Sequence, residues 1–143
     1  MMAALIHDFQ KSRMNMNHAP RVFLAFVGLF GATGVAAGAY GAHALSQQLS
    51  PYLLNVFQTA VLYQLIHAVA LLGIVALLSQ AVVSKALLIS ASLMVIGTIL
   101  FSGSLYLLTL SSLRVGLITP LGGFLLISAW VTLLFAAVTY KKK

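Results

Sequence analysis

The chain has 143 residues, 62% of them hydrophobic and 6% charged, where a soluble domain carries roughly a quarter charged residues. Such a chain cannot clothe a water-facing surface, so it reads as an integral membrane protein of a length that supports one domain. Cysteine is absent and Asp8 is the only acidic residue against eight Lys and Arg, which excludes disulfides, thiolate nucleophiles, zinc–thiolate sites, paired-carboxylate hydrolysis, and carboxylate metal sites or proton relays.

The basic residues sit only in the flanks of apolar runs, as membrane topology is written, and not in a patch interleaved with aromatics. No nucleic-acid partner is expected. Residues 1–20 read as a short cytoplasmic tail with Lys11 and Arg13, its His7 and His18 solvated. The first apolar run, 22–42, has a basic flank at Arg21 and small residues around Ala42-His43-Ala44, like a signal peptide. It is about twice the length of a usual signal core and rich in glycine, which favours an uncleaved helix. Gly31, Gly34 and Gly38 fall on one narrow arc, where small side chains let two backbones approach inside lipid.

Ser50-Pro51 then marks a helix start, with Ser as N-cap and Pro at the first helical position. The helix it opens, 52–79, contains no charge and carries a polar ladder, Asn55, Thr59, Tyr63 and His67, each four residues after the last. Gln58 and Gln64 widen that flank. At about 1.5 Å per residue the helix is longer than the ~30 Å hydrocarbon core requires. Lys85 punctuates a turn. In the third helix, 86–110, Ser90, Gly97, Ser104 and Ser111 recur every seven residues, a small-residue seam suited to close packing. A fourth helix is expected over 116–140, with Thr119-Pro120 repeating the cap-plus-Pro pattern and Gly123 available for packing. Residues 115–118 either extend that helix, kinked at Pro120, or form a loop dipping into the interface.

The expected architecture is all-α, a bundle of four transmembrane helices with antiparallel neighbours. Four crossings gather Lys11, Arg13, Arg21, Lys85 and Lys141–Lys143 on one side and leave Arg114 alone on the other. The positive-inside rule makes the crowded side, with both termini and the basic 141–143 tail, cytoplasmic.

Four stretches add a resemblance: GAYGAH (Gly38–His43), QTAVLYQLIH (Gln58–His67), FSGSLY (Phe101–Tyr106) and ITPLGG (Ile118–Gly123). In this order and spacing the chain resembles the YgdD/YwdK-like family of small bacterial membrane proteins, a domain of unknown function, over about residues 21–140. Mitochondrial proteins in animals look similar. The resemblance implies a four-helix protein of the bacterial inner membrane and brings with it no activity, substrate or cofactor. The N-terminal tail is longer than in such proteins.

The topology draws the candidate ligand-binding residues together: His43, Asn55, Gln58, Thr59, Tyr63, His67, Ser102, Ser104, Tyr106, Arg114 and Thr119. Those toward the outer half lie near helix starts, whose free N–H groups favour an anionic or carbonyl ligand. The competing reading is that they cap helices, anchor the interface and act as structural glue. His67 is the deepest ionisable group, and Ser102, Ser104 or Tyr106 of the third helix are its expected partners. Trp130 is expected to be packed or lipid-facing. His43 lies at a helix end, several turns from the depth of His67, so the two do not suit one haem iron. No metal or cofactor is expected. The partners expected are the lipid bilayer and other membrane proteins or a second copy of the chain. The leading functional reading is a scaffold or accessory subunit working through helix–helix contacts. The alternative is a binding protein or carrier for a small polar or amphipathic ligand, anionic or lipid. An enzyme is the weakest reading, since only His, Tyr and Ser remain for chemistry and no G-x-S-x-G is present.

Overall fold

Four apolar runs, each bounded by a turn signal, form four helices. The computed structural model describes Met2 and residues 18–79, 84–111, 113 and 115–138. Helix α1 spans His18–His43, α2 Pro51–Ser79, α3 Lys85–Leu110 and α4 Ile118–Val138, with a 3-10 turn at Leu45–Gln47. All four are long and apolar enough to cross a membrane, and no strand occurs among the described residues. Arg114, the basic 141–143 tail and most of the 1–20 tail lie outside the described residues.

Helix α1 starts four residues before the expected Val22, taking Pro20 and Arg21 into its first turn. A proline fits there because the first N–H groups of a helix lack internal partners. At α2 the expected cap forms: the Leu53 N–H donates to Ser50 Oγ at 3.3 Å. At α4 the cap-plus-Pro reading needs correction. The helix begins at Ile118, so Pro120 sits inside its first turn without starting or kinking it, and the Thr119 hydroxyl bonds across to α3. Gly116, with φ +47°, turns the chain just before the helix, a conformation that favours glycine.

Helices α2 and α3 form the centre, with α1 against α2 and α4 against α3; no close backbone approach joins α1 to α4 among the described residues. One apolar cluster, including Leu71, Ile74, Met94 and Ala129, fills the half where α2 ends and α3 begins. A smaller cluster of Leu45, Phe57 and Val61 fills the other half.

The α3–α4 seam follows the heptad of small residues. The Ser90 hydroxyl donates to the Ala129 carbonyl at 2.8 Å. A Cβ on Gly97 would lie 2.8 Å from Leu126 Cδ2. One on Gly122 would collide with the backbone of Phe101 and Leu100. Ser104 meets Thr119 at 2.7 Å. Rising numbers on α3 thus meet falling numbers on α4. The seam closes at Gly122, where a glycine was expected to matter at Gly123; a Cβ there would make ordinary contact, 3.6 Å from the Phe101 ring. Ser111 lies past the end of α3, bonded to its own helix at Leu107.

Helix α1 uses fewer of its glycines than the arc suggested. Gly34 packs tightly, its missing Cβ 2.7 Å from Leu65 Cδ2, and Gly38 lies 3.4 Å from Val61. Gly41 covers Phe57 at 3.0 Å, whereas Gly31 faces open space, with nothing within 4 Å.

Candidate functional site

The polar residues of the span divide into two separate groups. The first centres on Gln64, which projects from α2 between α1 and α3 and is buried. Its Nε2 donates to the Phe30 carbonyl and to Thr33 Oγ1, both at 2.8 Å. The Tyr106 hydroxyl donates to its Oε1 at 2.8 Å, and Thr33 passes its own proton to the Leu29 carbonyl at 2.6 Å. A backbone carbonyl can only accept, so the contact with Phe30 fixes which end of the carboxamide faces α1. Every donor in this chain has an acceptor. Tyr106 also lies against Phe57, ring centroids 5.1 Å apart, so one carboxamide ties three helices beside a packed aromatic pair.

The second group surrounds His67. Its partners are not the hydroxyls of Ser102, Ser104 or Tyr106 expected from the sequence. His67 Nδ1 lies 2.7 Å from the carbonyl of Tyr63, one turn earlier in α2, and the Trp130 indole N–H donates to Nε2 at 3.3 Å. A carbonyl only accepts and an indole only donates, so Nδ1 carries the proton and Nε2 is bare. This is a neutral imidazole held between α2 and α4. Tyr63 stacks on His67 with centroids 5.8 Å apart and meets Phe101 at 4.6 Å. Trp130 stands edge-on to His67 at 6.2 Å.

The remaining candidates are dispersed. Ser104 donates to the Phe101 carbonyl at 2.9 Å, so its one proton is spent and Thr119 must donate to it; these two belong to the helix seam. Ser102 is buried, and its hydroxyl has no partner among the described residues. Thr59 bonds the Asn55 carbonyl of its own helix. His43, Asn55 and Gln58 are exposed. Arg114 lies outside the described residues.

Sequence reasoning passed over the hub, Gln64, and the His67 partner, Trp130. Gln64 breaks the four-residue ladder by one position, and that offset turns it inward between α1 and α3. For Trp130 no pattern in α4 separated an indole that bonds from one that only meets lipid.

Residues 37–123 match the family described as Protein of unknown function (DUF423). The chain belongs to that family. Its stretch includes all four motifs, from Gly38 to Gly123, together with Gln64, His67 and Tyr106, while Phe30, Thr33 and Trp130 fall outside it. UPF0382 inner membrane protein YgdD of Escherichia coli strain K12 is 39% identical over 124 residues, covering 86% of this chain and 94% of that protein. UPF0382 membrane protein YwdK of Bacillus subtilis strain 168 is 37% identical over 121 residues, covering 84% and 98%. UPF0382 membrane protein SAB0533 of Staphylococcus aureus is likewise 37% identical over 121 residues, with the same coverage. No solved structure matches. With this family and its four spans, the chain is a multi-pass inner-membrane protein.

Proposed function

We propose that this member of the family is a non-catalytic scaffold or accessory subunit that binds other membrane proteins through the outward face of α1. The observation that carries this reading is how little of α1 the rest of the chain covers: Phe30, Gly34 and Gly41 are its buried residues. Its open side presents Ala25, Gly28, Ala32 and Ala36, all exposed, the small residues along which helices approach inside lipid. The Gln64 network points the same way, since its donors are spent within the bundle. Both termini are proposed to face the cytoplasm. In support, Arg21 and Lys85 lie at the ends of α1 and α3 that a four-span chain places on one side.

A photo-crosslinking side chain at Ala32 tests the scaffold reading in intact cells. Discrete protein adducts at Ala32, absent when the same group replaces the lipid-exposed Ile127 of α4, support it. Lipid adducts alone at both positions overturn it. Orientation is tested in the naturally cysteine-free chain: an impermeant thiol reagent should label a cysteine at Gln47 and spare one at Lys85.

A second reading, a binding protein for a small amphipathic ligand, is favoured by Asn55 and Gln58. They stand one turn apart and exposed in the first half of α2, where carboxamides could meet a polar headgroup. Asn55→Leu with Gln58→Leu should then abolish ligand retention while leaving the bundle as stable as before.

A further inference from the structure

An unspent polar group lies on the lipid side of His67. Tyr63 is 39% exposed, and its hydroxyl has no hydrogen-bond partner among the described residues. It is also deep. Tyr63 follows the start of α2 by twelve residues, about 18 Å of helix, while a 29-residue helix overhangs a ~30 Å hydrocarbon core by only ~7 Å at each end. Even leaning back a full turn, ~5 Å, the hydroxyl remains beneath the headgroups. An unpaired hydroxyl in hydrocarbon is costly, so a partner that is itself lipid-soluble would relieve it.

The surroundings describe that partner. Helices α2 and α4 make no close backbone approach to each other among the described residues, and the gap between them is bridged by the Trp130–His67 bond. At 3.3 Å that bond is at the long end of the hydrogen-bond range, and Trp130 is 46% exposed. The floor of the gap is the Phe101 ring of α3, tilted against Tyr63 with ring centroids 4.6 Å apart. Gly123 of α4 stands beside that ring with no side chain to cover it. The result is an aromatic cleft, open to lipid, that offers one unspent donor, Tyr63 Oη–H, beside the Trp130 Nε1–H and His67 Nε2 pair, which are bonded to each other.

We propose that the cleft between α2 and α4 binds a planar, lipid-soluble ring molecule bearing carbonyl or hydroxyl oxygens, of the isoprenoid-quinone class. A ring lies beside Phe101 and Trp130, and a ring carbonyl accepts from Tyr63 Oη–H. In the reduced form a ring hydroxyl donates to His67 Nε2 in place of the indole. An acyl chain would leave the Tyr63 hydroxyl unbonded, and a phospholipid headgroup sits too shallow to reach it. The inference concerns binding alone and stands independently of the scaffold role of α1.

Trp130 is the single tryptophan of the chain, so its emission reports the cleft directly. The protein in phosphatidylcholine nanodiscs is titrated with a decyl-substituted benzoquinone. Saturable quenching of Trp130 is expected. Tyr63→Phe keeps the ring and loses only the hydroxyl, so its midpoint should rise about three- to tenfold, the effect of one hydrogen bond. Gly123→Leu should abolish saturation by covering Phe101, with circular dichroism and thermal unfolding confirming the fold. Should that variant fail to fold, Tyr63→Phe decides alone. Quenching that grows linearly with quinone and is identical in parent and Tyr63→Phe reflects a quencher dissolved in lipid, and overturns the proposal. Saturation with an unchanged midpoint in Tyr63→Phe overturns it too, as does quenching by a chain-brominated phosphatidylcholine that added quinone does not displace.

Discussion

Helix α4 is held to α3 largely by backbone contact, whereas α1 is held to α2 largely by side chains. At Gly122 the α4 chain lies directly on the backbone of Phe101 and Leu100, leaving no room for a Cβ. Ser90 and Ser104 add hydrogen bonds across the same seam. At Gly34 the nearest obstacles are the ends of two side chains, Leu65 and Gln64, and the polar tie is a single carboxamide. Inside lipid the hydrophobic drive between helices vanishes, so van der Waals fit and hydrogen bonds decide affinity. A backbone seam is therefore rigid and intolerant, while a side-chain seam can repack.

The largest effect that tests this contrast is at Gly122. Gly122→Ala should destabilise the bundle by about 1–3 kcal/mol, the usual cost of overpacking, because neither backbone can yield. Gly34→Ala should cost less, since the Leu65 tip can rotate away. Unfolding midpoints in mixed micelles measure both, and equal losses would erase the distinction between the seams.

Gln64→Leu should come next. It removes three hydrogen bonds and leaves the Tyr106 hydroxyl unpaired, at a cost of about 1–2 kcal/mol, the upper range for polar contacts in membranes. Tyr106→Phe should cost less than Gln64→Leu. In a double-mutant cycle the two should fall short of additive, because they share a bond; strict additivity would mean the bond contributes nothing.

His67→Leu should have a smaller effect, about 0.6 kcal/mol, typical of single hydrogen bonds between membrane helices. Trp130→Phe, which removes the indole donor, should cost a similar amount, and the double variant little more than either single one. His67→Gln should recover part of the loss, because a carboxamide can still accept from the indole. If Trp130→Phe is silent while His67→Leu is not, the bond between α2 and α4 carries none of the stability.

The smallest effect should be at Gly31. Gly31→Leu points a side chain into open space, and stability should change by less than about 0.5 kcal/mol, as at other unpacked positions. A loss like that at Gly34 would mean the face of α1 near Gly31 is covered after all.

The sequence by itself determined the class and the number of spans. Near-absence of charge forces the chain into lipid, and lipid forces each apolar run into a helix that satisfies its own backbone. The heptad of Ser90, Gly97 and Ser104 also marked the side of α3 that faces a neighbour, because periodicity within one helix is a local property. Which residues meet across helices was decided only by the tertiary structure. Helical periodicity gives the direction of a side chain but neither its depth nor the rotation of the helix opposite. A one-position difference therefore separated the closed contact at Gly122 from the looser one at Gly123, and turned Gln64 inward while Tyr63 faced out. The partner of His67 was set in the same way: once α2 and α4 were placed, the donor its bare nitrogen met among the described residues was the indole of Trp130.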